Sequence, residues 1–177
     1  MRSPTSTLVI DLAALGVLAD GPCAVEALCG HVQAAVGPWL TPTRCVVGER
    51  LIGWIERGAV EQLDDGRVTL TLAGCEQLRA LVSAPHGEPC HGLLPLLETL
   101  KLALADHLAP HQRQALLHEL VQLRARCLAA RTRADEAAPT LLRRCAARRL
   151  HTAPLAEEAL GRAVAQFGVE PRWEMVT

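Results

Sequence analysis

Residues 84–91 read APHGEPCH and bring His86, Cys90 and His91 together in a stretch of helix breakers. Thiolate and imidazole are good zinc ligands, but this spacing fits no finger or ribbon and no fourth ligand is evident, so neither metal nor cofactor is expected. His107 and His111 stand four apart, yet Pro110 between them breaks the register that would align them on a helix. The acidic pairs Asp64-Asp65 and Glu157-Glu158 fall in a turn and in a first helical turn, where charge has a structural reason to be. There is no G-x-S-x-G, no glycine-rich phosphate loop and no H-E-x-x-H. An enzyme is not expected. The seven cysteines are scattered without a C-x-x-C pair, as small buried hydrophobes in a reducing cytoplasm would be, with Cys90 the expected reactive exception.

What remains is arginine. The net charge of −1 hides an uneven placement: residues 1–84 hold six Arg against nine Asp and Glu, residues 124–149 eight Arg against two. The second group falls on several helix faces with no interleaved aromatic, which fits solvated or interhelical arginines better than a nucleic-acid surface. In the first group, Arg44 and Arg50 lie along one expected helix and Arg67 follows a turn. A guanidinium at such places can grip a phosphate or a guanine edge, or can simply be solvated. Thr41 and Thr43 fit a helix cap or a phosphate contact equally.

The elements that would position these groups follow from periodicity and breakers. Half of the 177 residues are hydrophobic, with three Trp, one Phe and no Tyr. Apolar mass made of Leu, Ala and Val predicts a mainly α protein. Helices are expected over 7–18, ended by Asp20-Gly21-Pro22, over 24–36, ended by Gly37-Pro38, and over 42–57, ended by Gly58. Val60 to Leu63, a turn at Asp65-Gly66 and alternating Val68, Leu70 and Leu72 predict a hairpin. Thr71 then caps a fourth helix reaching Val82. A linker at about 85–91 separates a domain at 1–84 from a helical one at 92–177. In the latter, Leu93, Leu97, Leu100 and Leu104 are spaced by three and four, and Pro110 opens a long helix carrying Leu116, Leu120 and Leu123. A looser segment at 134–139 and two further helices complete the chain. No apolar run approaches the roughly 18 residues needed to span a bilayer, and the N-terminus has no cleavable apolar segment, so a cytoplasmic protein is expected.

Three helices, a hairpin and a following helix make a winged helix-turn-helix. The sequence resembles the PadR-like transcriptional regulators in LGVLADGP at residues 15–22, IGWIERGAVE at 52–61, the DDGR turn and LTLAG at 70–74. KLALADHLAPHQRQALLHELVQLRAR, from Lys101, resembles that family's virulence-activator-like helical domain. The resemblance implies a homodimeric repressor on a pseudo-palindromic double-stranded DNA site, with Thr43, Arg44, Arg50 and Arg67 as DNA contacts. It also implies a small hydrophobic effector, for which Trp39 and Trp54 are candidate liners. Leu93, Leu97, Leu100, Leu104, Leu116, Leu120 and Leu123 supply the expected dimer face, having more apolar helix surface than one chain can cover. Where the family has a Tyr-Pro pair in the third helix, this chain has Gly48-Glu49. That departure and the acidity of residues 1–84 support a second reading, a protein-interaction module on the same scaffold that has lost duplex binding.

Overall fold

The structure, a computed structural model, describes residues 4–37, 40–85 and 93–137. It divides into two compact units, Met1–Leu108 and Ala109–Thr177. The linker expected at 85–91 lies almost wholly outside the described residues, as do the HGEPCH cluster, Trp39 and everything beyond Ala137.

The first unit is built round α1 (Pro4–Ala19). Val9, Leu12, Ala14 and Leu15 are fully buried, and their directions differ enough that the helix is covered on most sides. A helix so covered reads as apolar all round rather than striped. Strand β1 (Cys23–Ala24) leads directly into α2 (Val25–Val36), and α3 (Arg44–Glu56) follows. The carbonyl of Pro42 accepts from Gln33 Nε2 at 2.8 Å, which ties α2 to the entry of α3. Thr43 caps α3 by accepting from the Val46 amide at 3.4 Å.

The end of α3 explains why a hairpin can begin at once. Gly58 takes φ +67°, its amide bonds to the Ile55 carbonyl and the Ala59 amide to the Trp54 carbonyl, both at 2.9 Å. This is a Schellman closure, and it turns the chain straight into β2 (Val60–Gln62). The loop to β3 (Arg67–Leu70) uses Gly66 at φ +80°, with the Gly66 amide on the Leu63 carbonyl at 2.9 Å. Strand β3 lies in the middle of an antiparallel sheet of order β1-β3-β2, with Val68 opposite both Cys23 and Gln62.

Thr71 joins the hairpin to α4 (Leu72–Ser83): its hydroxyl donates to the Gly58 carbonyl at 2.6 Å and accepts from the Gly74 amide at 3.1 Å. The backbones of α4 and the β2 entry touch there. A Cβ on Gly74 would stand 2.0 Å from the Ala59 carbonyl oxygen. Helix α5 (Leu94–Ala103) and a 3-10 turn at Ala105–His107 finish the unit, with Leu104 packed over Gly16 of α1. Buried Lys101 donates to the Ala84 carbonyl. Thus α5, expected with the C-terminal helices, belongs to the N-terminal unit.

The second unit, as far as it is described, is α6 (Pro110–Ala137). It runs unbroken through residues 134–137, where a looser segment was expected. No helix among the described residues is long and apolar enough to cross a membrane.

Candidate nucleic-acid interface

Helix α3 presents two unlike faces. Val46, Val47, Leu51 and Trp54 are buried against the unit's core. Cys45, Glu49 and Glu56 are exposed, and Ile52 keeps 59% of its surface in solvent. At 100° per residue these four fall in one strip, together with Gly48. Nothing lies within 4 Å of where a Gly48 side chain would begin. Gly53, off the strip, is covered instead by Arg57, whose Nη1 would be 3.2 Å from an added Cβ.

The four polar residues expected to meet DNA have separate fates. Arg44 is exposed at the first position of α3. Thr43 is engaged as that helix's cap. Arg50 turns inward: its Nε donates to Asp11 Oδ1 at 2.7 Å, its Nη2 to Oδ2, and the guanidinium lies over Trp54, 5.8 Å from the ring centroid. Asp11 is 6% exposed, so the two-pronged pair satisfies a carboxylate otherwise stranded in the core. Arg67 lies exposed at the start of β3, and its Nε donates to Asp65 Oδ2 at 2.7 Å. The Arg67 amide and guanidinium both hold the Asp65 carboxyl below its ordinary pKa. The wing cation is therefore paired with a carboxylate of its own turn.

Most of the leucines expected to make a dimer face have little exposed surface. Leu97, Leu100, Leu104, Leu116, Leu120 and Leu123 are each 8% exposed or less, and Leu93 is half-buried.

Trp54 is fully buried, with an indole N–H that finds no acceptor. It does not line the small cleft of about 200 Å³ in the first unit, which is bounded by Leu18, Leu70, Cys75, Leu78, Arg79 and His107. Ligand pockets usually have 300 Å³ or more. Among the described cysteines, Cys23 and Cys29 are buried as expected, whereas Cys45 is exposed on α3. Burial pushes the Cys23 thiol up, away from thiolate chemistry. No group of three or more His, Cys, Asp or Glu among the described residues could hold a metal.

Helix, strand, helix, helix and hairpin, with β1 completing the sheet through the central β3, define a winged helix-turn-helix protein. No family model and no curated protein matches the chain. Among solved structures it is similar to Bacillus subtilis PadR at 16% identity and a TM-score of 0.44, over 92% of this chain and 98% of that one. It is likewise similar to the Vibrio cholerae virulence activator AphA at 18% identity and a TM-score of 0.43, over 89% and 99%. The winged-helix assignment rests on the element order and strand register of the chain itself.

Proposed function

We propose that this chain is a DNA-binding transcriptional regulator that lays α3 in the major groove of duplex DNA and sets the β2–β3 wing against the flanking backbone. The observation that carries the reading is the outward strip of α3: it is exposed, capped by Thr43 at its start, closed by Gly58 at its end, and fixed from behind by Asp11 and Arg50. A helix held this firmly beside a short hairpin has the docking geometry of a groove reader. Arg44 and Arg67 are its DNA-facing cations, and Arg50 holds the helix rather than the nucleic acid. Homodimerisation, repression and a small hydrophobic effector are the forms the PadR-like resemblance implies.

One observation favours the second reading. The strip carries Glu49 and Glu56 round Ile52, and the acids of residues 1–84 outnumber the arginines. Such a face suits a cationic protein partner as an interaction module would. Enrichment of duplexes from a random pool by the purified protein separates the two: a recurring two-fold motif supports the regulator, and a pool that never departs from random supports the module.

A further inference from the structure

Resting on the regulator reading, we infer that base selectivity is set by the strip Cys45, Gly48, Glu49 and Ile52, with Gly48 as the point of closest approach to the bases. Arg50 turns inward to Asp11, which takes its Nε and Nη2, rather than toward this strip. Base reading passes to the groups that do face outward. Glu49, exposed on the second turn, can accept only, and the major-groove edge that donates without offering an acceptor is the cytosine amino group. Ile52, 59% exposed one turn further on, matches the thymine methyl, the apolar feature of that groove. A carboxylate would be repelled by phosphate, so these groups belong at the centre of the groove, with Arg44 and the wing's Arg67 nearer the backbone.

Gly48 supplies an independent observation. It lies inside a helix, where glycine is unfavourable, and packing gives no reason for it since the space before it is open. What a missing side chain does there is let the α3 backbone come closer to whatever occupies that space. Gly48→Ala should therefore have opposite effects on fold and binding, which a purely structural residue would not do.

The test uses the duplex that the full-length protein enriches from a random pool. Gly48→Ala should raise the melting temperature by about 2 °C. It should also weaken binding to the enriched duplex about tenfold, with binding to random duplex unchanged. Glu49→Ala should tighten binding to random duplex by removing a negative charge and lower the specific-to-random ratio about tenfold. Replacing thymine by uracil in the enriched duplex removes only the methyl group. It should weaken the wild type several-fold and Ile52→Ala no further. If the wild type selects a motif but these substitutions leave its preference intact, the inference falls and the regulator reading stands. If no motif is enriched at all, both fall.

Discussion

Arg44, Arg50 and Arg67 are alike as letters, and their surroundings make them different. Arg50 is the inward one, and its removal or that of Asp11 should be felt by the fold. Asp11→Asn should cost about 2 kcal/mol in urea unfolding, because it leaves a partly buried guanidinium short of its counter-charge. Asp11→Leu combined with Arg50→Met should recover most of that loss. An unchanged midpoint for Asp11→Asn would show that the pair is ornamental. Arg67 poses the opposite case. Its partner Asp65 has a pKa held below the ordinary carboxylate value of about 3.9, so the pair's contribution to stability is fully present above that pH. It is lost only as pH falls through the lowered folded value. Near neutrality the Asp65 carboxylate is ionised and stands beside the wing arginine. Asp65→Asn should free it and tighten binding to any duplex several-fold, read by fluorescence polarisation, whereas Arg67→Ala should weaken all duplexes alike.

At the scale of elements, the junction of α3, the hairpin and α4 is where the fold tolerates least. Gly74→Ala drives a methyl into the Ala59 carbonyl and should cost about 3 kcal/mol, lowering Tm by about 10 °C. A melting curve like that of the wild type would mean that α4 can shift away freely. Much of this architecture was legible beforehand, because glycine and proline punctuate it: Gly58 closes α3, Asp65-Gly66 turns the hairpin, and Thr71 caps α4. Strand β1 was not legible, since two residues cannot display a period and their pairing with Val68 and Arg67 is tertiary. The role of Arg50 was hidden for a similar reason: Asp11 lies 39 residues upstream, and no local pattern joins them. Ile55 is 38% exposed because it lies near the edge of the outward strip. The leucine spacing marked helix faces that are buried at Leu97, Leu100, Leu116, Leu120 and Leu123.

At the scale of the whole molecule, two-fold recognition requires two copies. Light scattering at micromolar concentration should return twice the chain mass of 19.0 kDa. A clean monomer there would remove the dimer from the proposal. A dimer presenting Arg44 and Arg67 twice places about four cations near phosphates, which gives a slope of log affinity against log salt of about −4. Including Arg50 would make it steeper, so the slope itself counts which arginines participate. Selective contact of α3 with duplex DNA is what a regulator of this fold requires. Its most direct test is a polarisation titration of the full-length protein against the DNA upstream of its own gene and against random duplex, from low salt to physiological salt. The expected result is a preference of roughly a thousandfold for the upstream DNA, with a shallow slope of about −4. Equal affinity for both duplexes, even at low salt, would contradict it.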